Sequence, residues 1–211
     1  MWSSEVTNMI ITGIWETLYM TLVSTLVGYV IGLPMGIILT VSDKDGIKPN
    51  AVLYKILDVI ANIVRSVPFI ILLVLLIPFT RLVVGKSYGS TATIVPLVIA
   101  AAPYIARMVE SSLKEVDAGV IEAARSMGAS NFTIITKVML VEARTSLLVG
   151  ATITLGTILG YSAMSGAVGG GGLGAIAIRY GYTRWQTDIM IVTVILLIIL
   201  FQIFQTVGMK L

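Results

Sequence analysis

Long apolar runs, several of them near 20 residues, are the feature that most constrains this chain. A helix needs about 20 apolar residues to cross the hydrocarbon core of a bilayer. Charged residues make up only 12% of the chain, about half of the roughly 25% that soluble domains contain. The sequence therefore predicts an all-α, polytopic membrane protein.

The apolar runs divide into five candidate membrane spans, expected at about 14–41, 66–84, 91–105, 147–168 and 188–207. The third run is short for a crossing, so we expect that helix to be tilted or partly buried in protein. Between the first two spans, residues 51–64 place apolar side chains at helical spacing and predict an amphipathic helix.

The distribution of Lys and Arg predicts the orientation of the chain. One side of the spans receives nine such residues, which are Lys44, Lys48, Lys55, Arg107, Lys114, Arg125, Lys137, Arg144 and Lys210. The other side receives four, which are Arg81, Lys86, Arg179 and Arg184. Since cytoplasmic loops carry the excess of positive charge, we expect the N-terminus outside and the C-terminus in the cytoplasm. Residues 1–12 contain no Lys or Arg, so no cleavable signal peptide is expected.

Composition also excludes several chemistries. The chain has no Cys and no His, which removes disulfides, histidine metal sites and Ser-His catalysis. Its net charge of +3 gives no reason to expect nucleic acid as a partner.

Two nucleotide-like patterns fail on inspection. Gly85-Lys86-Ser87 lacks the glycine that a phosphate loop needs five positions before Gly85, where Thr80 stands. The glycine run at 169–174 follows a membrane span rather than a strand and lacks a correctly spaced acid, so we expect a flexible loop or a helix break there. The chain is thus expected to bind no cofactor and to be no enzyme; any ATP it uses must be hydrolysed by a partner.

Three glycines of the first span, Gly28, Gly32 and Gly36, form two overlapping small-xxx-small repeats. This spacing lets another helix approach closely, and we assign the three residues to helix packing. The alternative is that the three glycines have no packing role, since glycine is common in transmembrane helices in general.

One polar segment, at about 107–145, stands apart from the apolar chain. Asp117 is a plausible N-cap of a short helix, Gly128 stands where a left-handed C-cap is expected, and Ser130 can cap a second helix. Connections between helices typically have about 2–8 residues. Roughly 40 residues with caps and apolar stripes therefore favour a docking element over an ordinary solvated loop.

The centre of this segment resembles a known family signature. The run Glu122-Ala123-Ala124, followed by Gly128, is similar to the EAA motif of ABC importer permeases. The resemblance implies that Glu122, Ala123, Ala124 and Gly128 belong to a coupling helix that sits in a groove of an ATP-hydrolysing subunit.

The sequence departs from this motif at its end. Ile135 and Leu140 fit the downstream part, but the usual proline after the leucine is replaced by Val141. A second nearby proline is also absent, since residues 144–146 read Arg-Thr-Ser. We expect the missing prolines to straighten the exit from the segment.

A second resemblance covers most of the chain and concerns the methionine-importing branch of this family. It is carried in order by the stretches 15–18, 65–74, 77–81, 102–110 and 160–168. The five-span count also suits that branch.

Taken together, the resemblances imply one permease domain over residues 1–211 with the type I importer fold, in the cytoplasmic (inner) membrane of a bacterium. They imply a homodimer joined to two copies of a separate ATPase, which holds ATP and Mg²⁺. An extracytoplasmic methionine-binding protein or lipoprotein would deliver methionine, including D-methionine and related amino acids.

Other functions stay open at this point. Another amino acid or glycine betaine could be the substrate, because a delivery protein supplies much of the selectivity. A channel or secondary carrier would need ionisable groups in mid-span, but Glu16, Asp58, Arg65 and Glu110 all lie near span ends or on a polar helix face. A membrane scaffold that transports nothing is a third possibility.

For the substrate pathway we single out Tyr161, Ser162 and Met164 in the fourth span. Met164 is predicted to form part of an outer gate, because methionine is a flexible, polarizable side chain that can reshape around a ligand. The alternative for Met164 is ordinary packing, since it is one of ten methionines in the chain.

Overall fold

The computed structural model describes residues 4–210, and within them every regular element is helical. In chain order the α-helices are α1 (Ser4–Ser42), α2 (Ala51–Ser66), α3 (Phe69–Leu75), α4 (Ile77–Val84), α5 (Ser90–Lys114), α6 (Ala118–Ser126), α7 (Asn131–Thr133), α8 (Leu140–Glu142), α9 (Arg144–Ser165), α10 (Gly172–Ile176) and α11 (Thr187–Gly208). Two π-helical segments, Ile134–Met139 and Ala177–Tyr182, and a 3₁₀ turn, Gly166–Val168, join them. The expected all-α class is confirmed.

Four helical stretches of the described chain are long and apolar enough to cross a membrane. They are α1, α5, the stretch Arg144–Tyr182 that begins with α9, and α11. A fifth crossing exists if α2 and α3 are counted together, with a bend of 102° between them. The prediction of about five spans is therefore confirmed, with the second span broken.

The run predicted as one continuous second span at 66–84 is divided between elements, because α3 joins α2 in the candidate crossing and α4 follows it separately. It is interrupted at Leu76, between α3 and α4, and Pro78 stands in the first turn of α4. Pro68 similarly stands at the N-cap of α3. Proline suits a helix start because its missing N–H is not needed there, whereas inside a helix it removes a hydrogen bond. The two prolines therefore mark the breaks.

The third span is longer than predicted. In place of a short run at 91–105, α5 has 25 residues and continues to Lys114. Its last turns carry Arg107 and Glu110, whose side chains bond each other and their neighbours instead of ending the helix. The expected length of the third span was therefore wrong, because a helix can continue past the charged residues at which an apolar run ends. The expectation that this helix is partly buried in protein is confirmed, since more than half of its most apolar stretch is buried.

Helix α1 lies against α5 at backbone distance along the three glycines of the first span. A Cβ placed on Gly32 would stand 2.6 Å from the carbonyl oxygen of Ala102, and one on Gly36 would stand 2.6 Å from that of Ala106. At Gly28 the nearest atoms would be 3.0 Å away. The close approach of α1 and α5 therefore depends on glycine having no side chain at these positions.

The turn between α9 and α10 closes on α1 at the end of the fold opposite the polar segment. The N–H of Gly172 donates to Glu16 Oε2 at 2.7 Å, and the N–H of Leu173 donates to Thr17 Oγ1 at 2.9 Å. Gly171 and Gly172 have φ of +86° and +72°, which L side chains rarely adopt. The glycine run at 169–174 is thus a break between helices whose new N-terminus is capped by α1.

Candidate functional site

The caps predicted for the polar segment are present. The Asp117 carboxylate accepts from the N–H of Gly119 at 2.8 Å, and Ser130 Oγ accepts from the N–H of Thr133 at 3.2 Å. Gly128 adopts a left-handed φ of +81°. Helix α6 and its glycine turn are therefore fixed by local chemistry that the sequence contains.

The end of α6 forms a Schellman motif. The N–H of Ala129 donates to the carbonyl of Ala124 at 3.1 Å, and the N–H of Gly128 donates to that of Arg125 at 3.0 Å. These two bonds satisfy carbonyls that the helix end leaves unpaired. The turn at Gly128 is consequently a well-defined corner between α6 and α7.

Helix α6 presents a charged and apolar surface outward. Ala124 is buried and Ile121 packs against the core, whereas Glu122 and Ala123 are exposed. Of the coupling residues implied by the resemblance, three are thus accessible, Gly128 included, and Ala124 anchors the helix.

Large apolar side chains beside these residues are also exposed. Met127 is 81% exposed and Phe132 is 75% exposed, and Val120 on α6 is exposed as well. Exposed apolar side chains grouped with polar ones are typical of a protein–protein contact surface. Sequence reasoning did not single out Met127 or Phe132, although both flank the caps.

The segment after α7 is not a regular α-helix. Ile134–Met139 is π-helical, and both end residues of this segment, Ile134 and Met139, are buried. The exit toward the membrane is interrupted only at Ala143, and helical hydrogen bonds continue on either side of it, from Ala143 N to Met139 O and from Leu147 N to Ala143 O. The chain therefore leaves the segment through an almost continuous helix, and Val141 stands where the resemblance implies a proline.

A cleft of about 420 Å³ separates α6 from the linker that joins α1 to α2. Its charged lining residues are Asp43, Asp45, Lys114, Glu122 and Arg125. Across it, the Arg125 guanidinium donates to the main-chain carbonyl of Ile47 at 3.0 Å. The candidate coupling helix is thus bonded to a distant part of the chain.

A network of charged side chains joins this linker, α2 and α5. Lys114 bonds Asp43 at 2.6 Å and Glu110 at 2.8 Å, and Arg107 bonds Glu110 at 2.7 Å and also pairs with Asp58. Because the Lys114 ammonium donates to its carboxylate, the pKa of Asp43 lies below its usual range. From the sequence, Asp58 and Glu110 were considered only singly, and the network was not predicted. The spacing of Arg107, Glu110 and Lys114 along one helix face was the available signal.

The three predicted pathway residues lie in different environments. The Tyr161 ring stacks on Phe69 with centroids 4.4 Å apart, and the buried Ser162 hydroxyl donates to the carbonyl of Leu159 at 2.7 Å. Met164 is 51% exposed. Of the three, Met164 offers the most open surface, while Ser162 is bonded to its own helix.

One protein family and several individual proteins are similar in sequence to this chain. Residues 32–208 match the family described as binding-protein-dependent transport system inner membrane component. The probable D-methionine transport system permease protein MetI of Vibrio cholerae is 49% identical over 207 residues, which cover 98% of this chain and 92% of that protein. The D-methionine transport system permease protein MetI of Escherichia coli K12 is 52% identical over 158 residues, 75% of this chain and 73% of that protein.

Solved structures are similar as well. A chain from inward-facing conformations of the MetNI methionine ABC transporter superposes with a TM-score of 0.97 at 51% identity, covering 99% of this chain and 97% of that one. A chain from an amino acid ABC transporter solved with histidines superposes with a TM-score of 0.79 at 21% identity, covering 97% and 92%, and shares the fold.

Proposed function

The chain belongs to the family of binding-protein-dependent transport system inner membrane components, and from this premise we propose that it is the membrane permease of an ABC importer for methionine. The observation that carries the substrate is the 49% identity to a D-methionine permease along 98% of the chain. Methionine, D-methionine included, is therefore the proposed cargo.

We propose that the permease works as a homodimer with two copies of a separate ATPase subunit. The transporter whose chain superposes at a TM-score of 0.97 is a methionine ABC transporter, which supports this assembly. ATP and Mg²⁺ would bind to the ATPase and not to this chain. An extracytoplasmic methionine-binding protein would deliver the substrate, and the membrane would be the inner membrane of a bacterium.

In the proposed mechanism, α6 is the coupling helix. The exposed Glu122 and Ala123 contact the ATPase, Ala124 anchors the helix to the core, and Gly128 sets the corner that presents it. ATP can drive the permease between inward- and outward-open states only if its binding favours one of them. The coupling helix is where that preference would reach the membrane domain.

The proposed pathway runs along α9 between the two copies. Met164 would serve as a gate, since it is open at the surface and its side chain can adapt to a ligand. Tyr161 would keep the adjacent wall of the pathway in place through its stacking on Phe69. Ser162, whose hydroxyl bonds within its own helix, would help to set the shape of that helix along the pathway.

Co-purification tests this proposal. After mild solubilisation from cells that also express the cognate ATPase, the permease should elute with the ATPase and as two copies of itself. Purified alone, it should hydrolyse no ATP. A self-sufficient monomer that conducts ions in liposomes would contradict the importer and favour the channel.

A further inference from the structure

The linker between α1 and α2 (residues 43–50) is a compact folded element. The N–H of Gly46 donates to Asp43 O at 3.0 Å, and the N–H groups of Lys48 and Asn50 donate back to the last turn of α1 at 3.0 and 2.9 Å. The side chain of Ile47 packs against the main core. The linker therefore continues α1 as one body instead of swinging freely.

Helix α5 holds this linker from one side. Lys114 bridges Asp43 of the linker and Glu110 of α5, and Glu110 is only 4% exposed. Glu110 is also bonded by Arg107 and by the hydroxyl of Tyr54 on α2, at 2.7 and 3.2 Å. A nearly buried carboxylate with three partners fixes their relative positions, because leaving it unpaired would be costly.

The candidate coupling helix holds the linker from the other side. Arg125 lies 78 residues from Ile47 in sequence, and its guanidinium donates to the Ile47 carbonyl at 3.0 Å. The acceptor is a main-chain atom of a folded turn, so this solvent-exposed bond joins α6 to that turn. A hydrogen bond from a charged donor is also stronger than one between neutral groups.

We propose that Arg125 is a positioning residue that ties the coupling helix to the linker, so that α6, the linker and α1 move together when the ATPase changes state. This inference rests on the proposed importer function. We call the set formed by Arg125, the Ile47 carbonyl, Asp43 and Lys114 the linker clasp. Through the clasp, movement of α6 reaches α1, which is packed on α5 at its three glycines.

Substitution of Arg125 tests the clasp in the intact transporter. In proteoliposomes that contain permease, ATPase and binding protein, Arg125→Met keeps the aliphatic stem but removes every donor. Methionine uptake should fall about fivefold, since the bond is exposed to solvent and contributes less than a buried charged hydrogen bond would. ATP hydrolysis should stay within about twofold of wild type, because the lost bond lies within the permease and the ATPase itself is unchanged. More ATP is then consumed per methionine.

Two further variants sharpen this result. Arg125→Lys keeps the charge and one donor group, so it should restore part of the uptake that Arg125→Met loses. Lys55→Met is the matched control, since Lys55 is exposed on α2, outside the polar segment and the clasp, and it should transport normally. Normal uptake by Arg125→Met would overturn the proposal, and so would equal losses of uptake, hydrolysis and bound ATPase.

A cross-link tests the joint movement directly. The chain contains no Cys, so introduced thiols react without background. Asp45→Cys on the linker and Ala118→Cys on α6 line the same cleft, and a bismaleimide chosen to span that cleft joins the two thiols. The cross-linked transporter should keep its methionine uptake, as should each single variant treated alike. Loss of uptake only in the cross-linked protein would show that α6 and the linker must separate, and would overturn the clasp.

Failure of the proposed importer function can be distinguished from failure of the clasp by the uptake of the wild-type assembly. If the wild-type assembly took up no methionine, the proposed function would fail. If the wild type transports and only the clasp variants give the contrary results above, the importer stands and the clasp alone is rejected.

Discussion

Single residues decide how closely the helices of this chain approach. Gly32 and Gly36 of α1 lie so near the carbonyls of Ala102 and Ala106 that a methyl group would overlap them. Gly160 of α9 is the opposite case, because a Cβ there would meet no atom within 4 Å. The same residue type therefore has a packing role at one position and none within the described subunit at the other.

This contrast makes a matched pair of variants. Gly32→Ala should lower the free energy of unfolding by about 1–3 kcal/mol, because the added methyl forces α1 away from α5. Gly160→Ala should leave it nearly unchanged or raise it slightly, since alanine favours the helix. Midpoints of thermal unfolding in detergent measure both, and equal midpoints would contradict the packing role of Gly32.

The Asp43–Lys114 pair should contribute stability that depends on pH. The pKa of Asp43 is lowered by Lys114, so its contribution is complete above the ordinary aspartate value of about 4 and is lost as the pH falls through the lowered pKa. Asp43→Asn should therefore destabilise the protein by about 1 kcal/mol or less at pH 7, with the difference from wild type shrinking below about pH 4. A difference that stays constant from pH 7 to pH 3 would argue against the pair.

The charge of Glu122 is expected to matter for coupling. Glu122→Lys reverses an exposed charge at the proposed ATPase contact, and ATP-driven uptake should fall at least about tenfold, since charges at an interface are arranged to complement the partner and a reversed charge loses that match. Glu122→Gln keeps the size without the charge and should lose less. Normal uptake by Glu122→Lys would remove this acid from the coupling site.

At the scale of elements, the polar segment is the best specified part of the chain. Asp117, Gly128 and Ser130 each cap a helix through local bonds, and for that reason they could be predicted from the sequence. The break at Leu76 was not predicted although Pro78 marks it, whereas the π-helical run Ile134–Met139 depends on packing between elements, so residue type alone did not reveal it. The charge network was missed for the same reason, since its members come from three separate elements.

The corner after α6 gives an element-scale prediction. Gly128→Val puts a β-branched side chain at a φ of +81° and should strain the Schellman turn by about 1–2 kcal/mol. Gly128→Asn should be tolerated better, because asparagine enters the left-handed region more readily. The amount of ATPase that co-purifies with each variant measures the effect. Equal recovery for Val and Asn would mean that the corner does not set the docking geometry.

At the scale of the whole molecule, the all-α class, about five spans and the importer family followed from apolar runs and a few motifs. The orientation, with the N-terminus outside and the C-terminus in the cytoplasm, stays a prediction from the nine-to-four excess of Lys and Arg. The pathway residues also stay predictions, because a substrate pathway between two copies is formed by surfaces of both copies. Within one subunit the Met164 side chain is exposed, and in a dimer the second copy would supply the surface that faces it.

The most direct test of the account is methionine uptake by a defined assembly. Permease, ATPase and binding protein are reconstituted in liposomes, and labelled methionine is followed with and without ATP on the ATPase side. Uptake should need ATP and all three proteins, and unlabelled methionine should compete with it better than glycine betaine or other amino acids do. Uptake without ATP, or stronger competition by another solute, would contradict a methionine importer.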